Sequence, residues 1–288
     1  NIHSQSIPDR FSSGSAPGGR FVRWDHIPFG DGRLFRLRRS SADASIWKAA
    51  LMGDGYHRGD IWINGSGHPD SDPLFFLDLL LWSHLLITYE ALIIHAAAVN
   101  YQARHFLFSC YSLPGAALIL LGVRAGSFLF FFFFFYTAAA LFILDIRFLF
   151  PGYSGSGKST WAELSSDQSE LEVLGEDKVI LRKKESGFEV YGSPWNPRRR
   201  YASPRSGPLG GIFFLEHAPA NRCSLSPPAS SFRRLLQSAF LPFVRKDEYV
   251  RAAAILETSV TAVPVRRFGF LPDASAVDFW ISGRADRS

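Results

Sequence analysis

Residues 152–160 read Gly152-Tyr153-Ser154-Gly155-Ser156-Gly157-Lys158-Ser159-Thr160, a complete G-x-x-x-x-G-K-[ST] spacing. Each residue type in it has a separate duty in phosphate chemistry. Glycines lack the Cβ that would keep backbone N–H groups away from phosphate oxygens. Lys158 can reach β- and γ-phosphates, and the Ser159 hydroxyl is placed to ligate Mg²⁺. Gly152, Ser154, Gly155, Ser156, Gly157, Lys158, Ser159 and Thr160 are therefore the expected nucleotide-binding residues, with ATP and Mg²⁺ as the implied cofactors. A glycine-serine surface turn ahead of a lysine would carry similar letters. The flanks favour the phosphate reading, because Arg147-Phe148-Leu149-Phe150 reads as a short buried strand and Thr160-Trp161-Ala162-Glu163-Leu164 as a helix opening.

Phosphoryl transfer needs a held metal ion, neutralised charge and an oriented acceptor hydroxyl. The apolar run Leu171-Glu172-Val173-Leu174 reads as a strand that ends at Gly175-Glu176-Asp177. Glu176 and Asp177 set two carboxylates side by side, one to hold Mg²⁺ or its water and one to accept the hydroxyl proton. An acidic turn between strands is the plain alternative. Ser159 and Asp177 are the expected metal contacts, and Lys158, Glu176 and Asp177 the expected catalytic groups. His95 sits in the apolar strand Leu92 to Val99, where a histidine satisfied in the core is the usual explanation. Trp195 and Asn196 could touch base or acceptor, and Arg198 to Arg200 could clamp phosphate.

Composition narrows the class. The 288 residues carry 31 Lys and Arg against 26 Asp and Glu, a net charge of +5. Arg33, Arg36, Arg38 and Arg39 form a second basic cluster, expected as a solvated face. Neither cluster is interleaved with aromatics as a nucleic-acid surface would be, so no nucleic-acid partner is expected. Two cysteines, Cys110 and Cys223, exclude a disulfide scaffold and suit a reducing, cytoplasmic compartment. Asn1 to Arg39 holds no apolar signal-peptide core, and residues 1–20 read as a poorly ordered end.

Asp60 to Ile63 reads as a strand and Leu74 to about Tyr89 as a helix apolar on nearly every side. A turn is expected from Asn100 to Arg104, then a strand His105 to Phe108. Further strands are expected over 178–182, 188–191, 211–216 and 263–270. A helix after Ser226 should show Phe232, Leu235, Leu236, Ala239 and Phe240 on one face. A later one should show Tyr249, Ala253, Leu256 and Val260, and a short element covers 276–281.

One stretch breaks the pattern. The frame FLFxxYS begins at Phe106 and again at Phe148, an offset of 42 residues (148 − 106), and Phe130 to Phe135 are consecutive phenylalanines between the copies. Ala125 to Leu144 holds no charge, which by length fits a membrane span. A membrane helix, a buried core insertion, and a recent insertion or translated non-coding block at about 106–147 all stay open. Excising 42 residues leaves a continuous hairpin from His95 into the loop, with Phe148 to Phe150 as its working strand.

His95-Ala96-Ala97, the hairpin, GYSGSGKST, Leu174-Gly175-Glu176-Asp177, Tyr191-Gly192-Ser193-Pro194-Trp195 and the 208–216 strand together resemble the catalytic domain of HPr kinase/phosphorylase and its relatives. The resemblance covers roughly 91–105 and 147–272. It implies an α/β fold of the P-loop, PEP carboxykinase-like type with a mixed sheet. It implies that His95 is the active-site histidine, that Lys158 and Ser159 are loop residues, and that Glu176-Asp177 fills the place of a paired Asp-Asp, one the catalytic base and the other a metal contact. Glu176 stands where the family has aspartate, and Thr160 where its bifunctional members carry an acid. More than one subunit is also implied.

The expected organisation is an accessory region over 1–90 and a kinase-like domain over 91–288. The expected function is ATP-dependent transfer of the γ-phosphate to a serine or other hydroxyl of a protein or small molecule. An ATP-binding regulatory module without phosphotransfer is the alternative, and a membrane tether through 125–144 a third.

Overall fold

The computed structural model describes residues 2–3, 7–11, 24–38, 45–53, 56, 58–64, 77–102, 145–195 and 201–283. Strands dominate a mixed α/β arrangement: β1 (Ile2–His3), β2 (Trp24–Phe29), β3 (Gly32–Arg38), β4 (Ile46–Met52), β5 (Gly59–Ile63), α1 (Leu77–Ile87), β6 (Ala91–Gln102), β7 (Asp145–Pro151), α2 (Lys158–Ser166), β8 (Leu171–Gly175), β9 (Lys178–Lys184), β10 (Gly187–Tyr191), β11 (Ser206–His217), β12 (Arg222–Leu225), α3 (Pro228–Ser238), β13 (Ala239–Phe240), α4 (Lys246–Ala262), β14 (Val265–Phe270) and α5 (Ala274–Ile281). They fall into two compact units, one of residues 1–93 and 239–258 and the other of residues 94–238 and 259–288.

The first unit is built on a sheet in the order β1-β5-β4-β3-β2. Its strands β2 to β5 run antiparallel, and β1 joins β5 in parallel. Successive side chains on a strand point to opposite faces. Leu34 and Ala49 accordingly pack with Phe11 and Ile46, while Phe35 and Ala50 pack with Met52 and Tyr56. With both faces covered, even arginines of β3 are enclosed. Arg36 is 1% and Arg38 6% exposed, and the Asp25 carboxylate accepts from Arg36 Nε at 2.6 Å, Arg36 Nη2 at 2.9 Å and Arg38 Nη1 at 3.1 Å. The expected solvated basic face is thus a buried ion-pair cluster at Arg36 and Arg38; Arg39 lies outside the described residues. Helix α1 buries Leu79, Ser83, His84 and Ile87 but leaves Trp82 42% exposed, so it has one wet side. Its His84 Nδ1 meets Glu248 Oε2 at 2.8 Å. Burial first, and the Arg33 charge second, lower the His84 pKa to about 4.

The second unit carries a mixed sheet whose strands run in the order β10-β9-β6-β7-β11-β14-β12, with β8 also on β6. Strands β7, β11 and β14 are parallel to one another; β6 is antiparallel to β7 and β12 to β14. Aromatic residues fill the core. Trp161 of α2 lies 5.0 Å from Phe150 and 5.3 Å from Phe268, and Trp280 of α5 lies 4.9 Å from Phe148, measured between ring centroids. Such edge and tilted contacts add to the area they bury.

Three local expectations change. β6 continues through Asn100 to Gln102 instead of turning, because Asn100 to Gln102 pair with Arg147 to Asp145. Helix α3 stops at Ser238, and Ala239-Phe240 is a short strand. Helix α4 buries Ala252, Ile255, Leu256, Ser259 and Val260, a face rotated from the expected one, while Tyr249 is 43% exposed. The strand expected over 105–108, Cys110, Phe130 to Phe135, Ala125 to Leu144, Asn196 and Arg198 to Arg200 lie outside the described residues. Among the described residues, no helix is long and apolar enough to cross a membrane.

Candidate functional site

Two backbone hydrogen bonds gather the site around β6. The Gly152 N–H donates to the His95 carbonyl at 3.2 Å, and the Ala96 N–H donates to the Asp177 carbonyl at 3.0 Å. The glycine-rich loop therefore lies against one edge of β6 at His95, and the turn between β8 and β9 against the other. Both follow from the antiparallel pairing of β6 with β7 and with β8.

The loop joins β7 to α2, the strand–loop–helix setting expected for it. Gly155 and Gly157 have φ of +83° and +95°, which only glycine adopts without strain. A Cβ on Gly157 would also stand 2.8 Å from Phe270 Cζ. Gly157 is the N-cap of α2, has no side chain to cap it, and no acid occupies the first turn. The first N–H groups of a helix lack intrahelical acceptors and carry the positive end of its dipole. An anion at this end would meet both. Lys158 is only 6% exposed, and its Nζ donates to the carbonyls of Gly152 at 2.9 Å and Tyr153 at 2.6 Å. Burial lowers its pKa, and the charge of Asp177 works the other way.

Across the cleft, His95 Nε2 lies 2.9 Å from Asp177 Oδ1, and Lys178 Nζ bonds the other carboxylate oxygen. Burial alone would raise the Asp177 pKa. The hydrogen bonds from His95 and Lys178, with the Lys178 charge, outweigh it and hold the carboxyl at about 2. Glu176 beside it is 3% exposed.

A cleft of about 410 Å³ collects these groups, lined by His95, Ser154, Gly155, Gly157, Lys158, Ser159, Thr160, Glu176, Asp177 and His217. That volume is within the range of small-molecule sites. Gly152 and Ser156 do not line it. They shape the loop from within, since a Cβ on Gly152 would meet Ser156 Oγ at 2.4 Å. Trp195 lies beside Ser193, whose Oγ accepts its backbone N–H at 3.3 Å, and it is not part of the lining. Among the described residues, no group of three His, Cys, Asp or Glu side chains could hold a metal ion by itself. The oxygen donors of Ser159, Glu176 and Asp177 are of the kind Mg²⁺ takes, usually with water and phosphate completing its shell.

His217 was missed from the sequence. It ends β11, opposite Phe270 at the end of β14. The available signal was its place at the carboxyl end of a strand parallel to β7, the edge where open α/β sheets bind ligands. No protein-family model matches the chain, and no curated protein matches its sequence.

Proposed function

We propose that the chain is an ATP- and Mg²⁺-dependent phosphotransferase with a PEP carboxykinase-like nucleotide site, similar to the HPr kinases, acting on a serine or other hydroxyl. One observation carries the reading: an uncapped helix N-terminus, the Lys158 amine and the His95–Asp177 pair line a single cleft.

In this reading the N–H groups from Gly157 to Thr160 and the Lys158 ammonium hold the β- and γ-phosphates. Ser159 and Asp177 would hold Mg²⁺, which when bound draws charge from the phosphate oxygens. The acceptor oxygen forms a bond to the γ-phosphorus, the bond from that phosphorus to the β–γ bridging oxygen breaks, and ADP leaves. The hydroxyl proton needs a base. A carboxyl at about 2 is ionised at neutral pH and takes a proton poorly. His95, in the tautomer that donates Nε2–H to Asp177, keeps the Nδ1 lone pair for that proton. Asp177 then orients the ring and stabilises the imidazolium that forms.

The test is turnover of ATP with Mg²⁺ by the purified chain, alongside nucleotide binding. Lys158→Ala is expected to weaken Mg·ATP binding by about a hundredfold, since charged hydrogen bonds are worth about 1.5–3 kcal/mol each. A parent chain that binds no nucleotide refutes the reading. Binding without any phosphorylated product leaves the regulatory module in its place.

A further inference from the structure

We propose that His217 is a positioning residue for nucleotide, fixing the peptide plane between Gly155 and Ser156 before phosphate arrives. The proposal rests on the nucleotide reading above and adds a residue outside the glycine-lysine motif and outside the His95–Asp177 pair.

His217 Nε2 lies 2.9 Å from the Gly155 carbonyl oxygen. A ring nitrogen meets a carbonyl favourably only as a donor, so Nε2 carries a proton; the imidazolium and the Nε2–H tautomer both provide it. The other end of the same peptide is held too, because the Ser156 N–H donates to the Tyr153 carbonyl at 3.2 Å. Gly155 needs this support. Its φ is +83°, and nothing lies within 4 Å of where a Cβ would be, so no packing of its own restrains it. Glycine loses the most backbone freedom on ordering, and a loop ordered in advance spares the ligand that cost. A Gly155 carbonyl held by His217 is also kept from turning toward phosphate oxygens, which it would repel.

The support is itself rigid. His217 and Phe270 are register partners at the ends of parallel strands β11 and β14, and their rings lie 6.4 Å apart at 23°. The edge of Phe270 sits against Gly157, within 2.8 Å of its Cβ position. One strand end thus braces the apex of the loop and its neighbour the last glycine.

Two variants separate the hydrogen bond from the ring stack. His217→Phe keeps a ring on Phe270 and removes the donor, whereas His217→Gln keeps an N–H donor and removes the ring. Calorimetric titration with Mg·ATP is expected to show binding about tenfold weaker for His217→Phe and within about threefold of the parent for His217→Gln. Ligand-free melting temperatures should match the parent, because His217 is exposed. His217→Phe binding as tightly as the parent overturns the proposal. So does His217→Gln binding as weakly as His217→Phe, or a ligand-free melting temperature that falls along with affinity. If the parent itself binds no Mg·ATP, the nucleotide reading fails and this one with it.

Discussion

Asp177 is where burial and pairing pull hardest against each other. Burial favours its neutral form, yet two donors, one of them the Lys178 ammonium, hold its pKa at about 2. The folded value lies below the ordinary carboxyl value near 3.9, so the unfolded chain binds the extra proton as pH falls. The stability Asp177 contributes is fully present above about pH 4 and is lost as pH drops toward 2. Thermal melts from pH 7 to pH 2 should therefore show a shallower acid decline in Asp177→Asn than in the parent. An identical decline would mean that the carboxylate is not held as its contacts indicate. The same variant tests chemistry. With His95 no longer oriented by an anion, turnover should fall about a hundredfold or more, in the range that positioned acid–base groups contribute. Unchanged turnover would remove Asp177 from the reaction.

At the scale of elements, what was legible depended on how far apart the cooperating residues stood in sequence. The loop, the β7 strand before it and the Glu176-Asp177 turn were readable because each is a local pattern that meets its neighbour directly. His217 was not, since it reaches the loop only through the parallel ladder of β11 with β7. The arginines of β3 were misread for a related reason. Charge predicts exposure, and the counter-ion stands on β2, opposite Arg36 across a hairpin. A sheet covered on both faces also loses the period-2 alternation that marks a strand. The hairpin makes a prediction of its own. Asp25→Ala removes the carboxylate shared by two buried guanidinium groups, and breaking a buried pair costs about 3–5 kcal/mol. Denaturant unfolding should show a loss of that size, against a far smaller one for Asp247→Ala, whose partners are exposed. Similar small losses for the two would show that Asp25 is not the anchor of β2 and β3.

For the whole chain, the open question is whether it needs the stretch between β6 and β7. The ladder sets the register that a shortened connection must keep. Val99 faces Phe148 and Gln102 faces Asp145. Joining Gln102 directly to Asp145 leaves Tyr101 opposite Ile146 as the last pair and closes a two-residue connection, the commonest hairpin loop. The residues removed, 103–144, number 42 (144 − 102), the same as the offset of the repeat (148 − 106). A block of the repeat's length can therefore be removed without shifting this register, as expected if it entered a tight hairpin. A two-residue turn needs residues that tolerate positive φ, so the deletion is best made with Asn at 102 and Gly at 145. Shortening the connection between Tyr101 and Ile146 from 44 residues (102–145) to 2 lowers the entropy of the unfolded chain, a stabilisation of about 2–3 kcal/mol by loop-closure scaling. The shortened chain should melt at or a few degrees above the parent and bind Mg·ATP within about threefold of it. Melting about 10 °C lower, or loss of a cooperative transition, would mean that residues 103–144 carry structure the two units depend on.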